Sequence, residues 1–139
     1  MIGERKGNCA QSVLTVFSSG LGLDETTAYN IAQIFGGGMH VNSVCGAVTG
    51  AYMVLGLANP VADEENSGQN TEKLRALQKE FNRRSKELHG SLNCTELIDY
   101  NLTVPEEAEK ARESGIFVTG CPVFVSDAVK IIEGLLKQG

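Results

Sequence analysis

Four cysteines, Cys9, Cys45, Cys94 and Cys121, are the side chains of this 139-residue chain best able to do chemistry, and each is predicted to sit where a helix begins. A helix start offers unpaired N–H groups and partial positive charge, which favour a thiolate over a thiol. Asn8-Cys9-Ala10-Gln11 and Asn93-Cys94-Thr95-Glu96 each read as a capping box, with asparagine as the cap and cysteine at the first helical position. Asn42 and Ser43 can both cap the segment that holds Cys45, leaving that cysteine in the first turn. Cys121 precedes Pro122, and proline favours the first helical position, so Cys121 is expected to be the capping residue itself.

No Cys-x-x-Cys occurs, and the nearest pair in sequence, Cys94 and Cys121, is 27 positions apart. Any pairing must therefore be made by the fold. Four converging thiolates would bind an iron–sulfur cluster or a tetrahedral zinc ion. Two of them would make a reversible dithiol–disulfide centre. A single nucleophilic thiolate with a resolving partner would make a thiol peroxidase or a redox sensor. The plainest alternative is that the cysteines are buried and act as small hydrophobes.

Other candidates are fewer. His40 lies near Cys45 in sequence and His89 near Cys94, and each is a candidate ligand or proton donor, although a solvent-facing histidine is the commoner outcome. Arg84 falls between Phe81 and Leu88 on what reads as an inner face. Snorkelling at the core edge explains it, and the sharper alternative is a guanidinium facing thiolates or an anion. Gly36-Gly37-Gly38 feeds the Cys45 segment and is expected to stop a helix rather than cradle a phosphate, since no strand precedes it and no Walker lysine follows. Gly46 and Gly50 mark a small-residue face. They are candidate cofactor-binding positions, and by packing they would let a neighbouring helix bring its cysteine close to Cys45.

The elements that must position these residues are helices. Ala10, Val13, Leu14 and Phe17 share a face over residues 8–18, and Ala28, Ile31, Ala32 and Phe35 over 24–35. Residues 43–58 are apolar on most faces and predict a central buried helix. Residues 60–70 read as an acidic, polar insertion without a cysteine. A charged helix over 71–88 carries Leu74, Leu77, Phe81 and Leu88. Short helices follow at Cys94 and over 106–113, and a last helix spans 122–136. No alternating run predicts a strand. The expected fold is all-α: a compact single-domain bundle, residues 1–139, of about six to seven helices around the central one.

Composition bounds the function. The chain is 42% hydrophobic and 21% charged, as ordinary globular domains are. A net charge of −5 without a basic run argues against a nucleic-acid surface. The longest apolar stretch, 44–58, is too short to span a bilayer, so membrane insertion is not expected. Residues near Met1 lack the layout of a signal peptide. The expected location is cytoplasmic, where thiols are kept reduced and cysteines more often bind metal or do redox chemistry than form scaffolds.

Cys45-Gly46-Ala47-Val48-Thr49-Gly50 matches CGAxxG, and with it stand Asn8-Cys9-Ala10-Gln11, Phe35-Gly36-Gly37-Gly38-Met39, Phe81, Gly90-Ser91-Leu92-Asn93-Cys94-Thr95-Glu96-Leu97 and Gly120-Cys121. On these residues the chain resembles the C_GCAxxG_C_C (CGAxxG) family of redox-active four-cysteine proteins. All four cysteines fall on the family's cysteine positions, and the departure at 59–70 lies in its variable part. The resemblance implies redox work by Cys9, Cys45, Cys94 and Cys121. A related module in split-Soret cytochromes, beside haem-binding segments, is taken to hold an iron–sulfur cluster with its cysteines. The expected function is a redox centre of all four cysteines, an iron–sulfur cluster or a dithiol/disulfide, in an oxidoreductase or electron carrier. A redox partner protein is expected, and a homodimer is an option. The alternatives are a non-catalytic module holding zinc or another thiophilic metal for binding or sensing, and a helical interaction domain with inert cysteines.

Overall fold

The structure is a computed structural model, and it describes residues 7–60 and 67–138. Eight α-helices occur among them: α1 Cys9–Phe17, α2 Glu25–Ile31, α3 Gly46–Ala58, α4 Ser67–His89, α5 Cys94–Ile98, α6 Pro105–Ser114, α7 Ile116–Thr119 and α8 Cys121–Gln138. The fold is all-α, and the described residues form no strand beyond an isolated antiparallel bridge between Val44 and Asn93. The count exceeds the expected six to seven because α7, a four-residue turn before α8, carries no periodic signal of its own.

The centre is α3, whose Gly46, Ala47, Val48, Gly50, Ala51, Val54 and Leu55 are buried. Its most extensive neighbour is α1, and α8 packs across both. Ala10, Val13 and Leu14 from α1, Phe81 from α4, and Ala128, Ile132 and Leu135 from α8 complete the core. The α1–α3 seam is close because glycine lines it. A Cβ on Gly50 would stand 2.8 Å from the Ala10 carbonyl oxygen and 3.1 Å from the Val13 Cβ. One turn earlier, a Cβ on Gly46 would stand 2.9 Å from the Ala10 nitrogen and 3.2 Å from the Cys9 Cβ.

Several expectations are corrected. Helix α2 stops at Ile31, short of 35, and Ile31 is half exposed while Ala28 and Ala32 are fully buried. In the stripe of α4, Phe81 is fully buried and Leu74 and Leu77 pack partly buried against the core, whereas Leu88 is 59% exposed. Helix α4 already begins at Ser67, so 67–70 are helical and not part of a loop; 61–66, the middle of the expected insertion, lie outside the described residues. Arg84 donates from Nε to Glu80 Oε2 at 2.7 Å, one turn back on its own helix, so its guanidinium is engaged there and not with thiolates.

Between α2 and α3 the chain makes a left-handed turn, with Gly37, Gly38, Met39 and His40 all near φ +60°. Gly38 is required here, since a Cβ would stand 2.3 Å from the Ser43 nitrogen. Met39 and His40 adopt this conformation at a cost of about 1–2 kcal/mol each.

The glycine seam generates a paired expectation. Gly50→Val should lower stability in a urea titration by about 1–3 kcal/mol through overpacking against α1. Gly56→Ala, on the same helix but with open space before it, should raise stability by about 0.5–1 kcal/mol. Equal effects at the two positions would mean that the seam is not tight.

Candidate functional site

Each cysteine is delivered by a helix start, but the four starts are built differently. Cys9 is the first residue of α1, behind a complete capping box: Gln11 N–H donates to Asn8 Oδ1 at 2.9 Å and Asn8 N–H to Gln11 Oε1 at 2.8 Å. The same two side chains reach α2 and the turn that follows it. Asn8 Nδ2 donates to the Gln33 carbonyl at 2.8 Å, and Gln11 Nε2 to the Tyr29 carbonyl at 2.9 Å.

Cys45 is the N-cap of α3 rather than a member of its first turn. Asn42, expected to cap that helix, points elsewhere. Its Nδ2 donates to Thr95 Oγ1 and, at 3.1 Å, to the Tyr100 carbonyl, while its Oδ1 accepts from Leu102 N–H at 2.8 Å. Asn42 therefore clasps α5 and the segment after it.

Cys94 is the first residue of α5, but its capping box is not closed. Asn93 makes no capping bond; its Nδ2 donates to Glu96 Oε1 at 3.1 Å and its backbone N–H to Ser91 Oγ at 3.0 Å. Cys121 is the first residue of α8 and not its cap, because the Gly120 carbonyl accepts from Val123 N–H at 3.0 Å and so closes the first turn.

The bridge between Val44 and Asn93 joins two of these starts. Cys45 N–H donates to the Leu92 carbonyl at 2.8 Å, and Cys94 N–H donates to the Ser43 carbonyl at 2.7 Å. All four cysteines then line one cavity of about 220 Å³. The rest of its wall is mainly apolar, with Leu97, Ile98, Leu102, Phe117 and Phe124, and Gly46 contributes beside Cys45. Gly50 lies one turn deeper, against α1. None of the four cysteines is in a disulfide.

The electrostatics depart from the expectation that helix starts acidify every thiol. Cys9 S–H donates to Cys121, and this bond holds the Cys9 proton and pushes its titration far upward, with burial and the other three cysteines adding to it. The same bond lowers Cys121 against the opposing effect of burial, so Cys121 is the more acidic of the two. Cys45 is raised mainly by burial. The amides of Ala47 and Val48 favour its thiolate without closing a capping bond, and they are outweighed. Cys94 is pushed up to about 12, first by burial and then by the charges of Cys45 and Cys121. Desolvation and mutual repulsion in an apolar cavity thus exceed the pull of short helix ends.

Neither histidine lines the cavity. His40 is exposed on the left-handed turn. His89, at the end of α4, stands 3.1 Å from Asp127 Oδ2, with its ring edge-on to Phe124 at 4.8 Å between centroids. The signals missed in the sequence are the apolar wall and the Asn42 clasp. Leucine and phenylalanine carry no mark that separates a cavity wall from core, and Asn42 resembles a cap in its local sequence.

Two outcomes follow. Alkylation of the reduced, metal-free protein should proceed at Cys121 at lower pH than at Cys45 or Cys94, and Cys9→Ala should move the Cys121 profile upward by removing its donor. Per-site mass spectrometry against pH reads both; an unchanged Cys121 profile in Cys9→Ala refutes the assigned cause. The second concerns stability. The unfolded chain loses the Cys94 proton near 9 and the folded chain near 12. The native state then binds more protons across that window, so stability is complete below pH 9 and falls as pH rises through it. Cys94→Ala should flatten that fall in urea titrations at stepped pH.

Residues 7–135 match the model of a protein family. No curated protein and no solved structure matches the chain. That span takes in all four cysteines and every helix start described above, and the chain therefore belongs to the family described as "Putative redox-active protein (C_GCAxxG_C_C)".

Proposed function

We propose that Cys9, Cys45, Cys94 and Cys121 form one redox centre, and that its activity is thiol–disulfide exchange centred on Cys9 and Cys121. The observation that carries this is geometric: all four cysteines line one cavity, and Cys9 and Cys121 alone among them also line the more open groove beside it. Exchange needs one thiolate to attack a disulfide sulfur and one neighbouring thiol to resolve the mixed disulfide. The downward shift of Cys121 and the upward shift of Cys9 suit them to those two roles. Cys45 and Cys94, more deeply buried, are the second pair of the same centre.

A second reading is favoured by the donor set. Four sulfurs in a mainly apolar cavity, with no histidine or carboxylate among the described residues that line it, suit a thiophilic metal. Cys9, Cys45, Cys94 and Cys121 would hold an iron–sulfur cluster, or zinc in a non-catalytic module, and a bound cluster would supply one-electron transfer. Among the described residues no group of three or more His, Cys, Asp or Glu is already gathered as a ligand set, so this reading needs the sulfurs to draw inward. The exchange and cluster readings both call for a redox partner protein and suit a compartment in which thiols are kept reduced. No helix among the described residues is long and apolar enough to cross a membrane.

Anaerobic purification followed by metal analysis, an absorption spectrum and controlled oxidation separates these readings. The expected outcome is a metal-free protein in which mild oxidation yields an intramolecular Cys9–Cys121 disulfide, absent in Cys121→Ser. Iron with acid-labile sulfide and a visible charge-transfer band would establish the cluster instead. Stoichiometric zinc with a featureless visible spectrum would establish the metal module. Native thiols that resist both oxidation and thiol reagents would mean an interaction domain with inert cysteines.

A further inference from the structure

The cysteine cavity has a neighbour. A second cavity, of about 510 Å³, lies along α1 and α8, and Gly7, Cys9, Phe117 and Cys121 line both. Cys45 and Cys94 line only the inner one. The Cys9–Cys121 pair is therefore the wall between an inner chamber and an outer groove. We propose that the outer groove is a substrate site for a small disulfide with an apolar body, attacked there by Cys121 and resolved by Cys9. This rests on the exchange reading above.

The groove argues for that occupant. Its volume suits one small molecule rather than a folded partner. Val16, Val125 and Val129 give it apolar walls, and Val16 and Phe117 remain 41% and 39% exposed in the free protein. The reactive groups at its inner end are two sulfurs, whose common reaction partner is another sulfur–sulfur bond. Lys130 and Glu133 border the groove farther along α8, with Lys130 about 13 Å from Cys121 at the rise of a helix. The apolar stretch is thus long enough for the body of the substrate, and any polar end can lie at that charged border.

The chemistry balances on these atoms. The Cys121 thiolate attacks one sulfur of R–S–S–R′, forming a Cys121–S–S–R bond and breaking the substrate bond. The leaving R′–S⁻ takes the proton that Cys9 gives up. That proton is no longer held, because Cys121 has lost the charge that accepted it. Cys9 then attacks the Cys121 Sγ, and R–S⁻ leaves and is protonated by solvent. The substrate disulfide gains two electrons, and Cys9 and Cys121 lose them as their own disulfide forms.

Single-turnover mixing of the fully reduced chain with 4,4′-dithiodipyridine, or with oxidised glutathione as the polar comparison, tests the assignment. Rates are normalised to those of free cysteine. The apolar probe should be favoured about tenfold or more. Val129→Glu should remove that preference, while alkylation of Cys121 by iodoacetamide, which needs no groove, stays unchanged and reports an intact fold. In Cys9→Ala the pyridyl adduct should accumulate on Cys121. An adduct on Cys45 or Cys94, or a Val129→Glu variant that keeps the wild-type preference, overturns the groove and its roles while exchange at Cys9–Cys121 stands. If no probe produces a Cys9–Cys121 disulfide, the exchange reading itself falls.

Discussion

Two backbone hydrogen bonds hold the centre together: Cys45 N–H to the Leu92 carbonyl and Cys94 N–H to the Ser43 carbonyl. They join segments 49 positions apart, as Cys45 and Cys94 are numbered, through a bridge of one residue on each side. In a helical protein such a contact has no sheet to support it. Asn42 supplies the support, since its side chain binds Thr95, Tyr100 and Leu102 at once, and its carbonyl accepts from Thr95 Oγ1 at 3.1 Å. The left-handed turn at 37–40 lets the chain leave α2 and arrive at this clasp in the orientation that the bridge needs. Local strain at Met39 and His40 is sustained because the contacts that follow fix the segment at both ends.

The other two cysteines are placed by packing instead. Gly46 and Gly50 let the α1 backbone lie directly on α3, which sets Cys9 beside Cys45. The last helix crosses both, and its first residue is Cys121. One pair is thus located by hydrogen bonds and the other by close helix contact. This fits their different exposure: Cys45 and Cys94 are buried, whereas Cys9 and Cys121 keep some access to solvent.

How much of this could be read from the chain depends on how local each signal is. The Asn8–Gln11 box is complete within four residues, so the start of α1 is legible, as is the buried character of α3, whereas the glycine run at 36–38 does not mark the end of α2, which comes at Ile31. Asn93 and Asn42 also look like caps, but their side chains are taken by Glu96 and by α5, and nothing near them in sequence reveals those partners. Ile31 and Leu88 lie on plausible inner faces, yet a period marks a face without saying how far the neighbouring helix extends over it. The one-residue bridge leaves no alternating run to detect. The cavity wall is a tertiary product of Leu97, Ile98, Leu102 and Phe124 meeting from separate segments.

The protonation of the site shows why sequence position alone misleads about reactivity. A helix start favours a thiolate by an amount that short helices such as α5 supply weakly, and burial opposes it. Four thiols around one apolar cavity also repel each other's charge, so ionisation of one makes ionisation of the next harder. Cys121 ionised beside a protonated Cys9 is accordingly the first charged state open to the reduced centre. That state suits exchange, which needs one attacking thiolate and one thiol in reserve. Ligating a metal through all four sulfurs would instead require the protons of Cys9, Cys45 and Cys94 to leave, and an ion's own charge is what can drive them off. The same four residues thus have two distinct protonation regimes, and which one operates is decided by what enters the cavity rather than by the helices that deliver the cysteines to it.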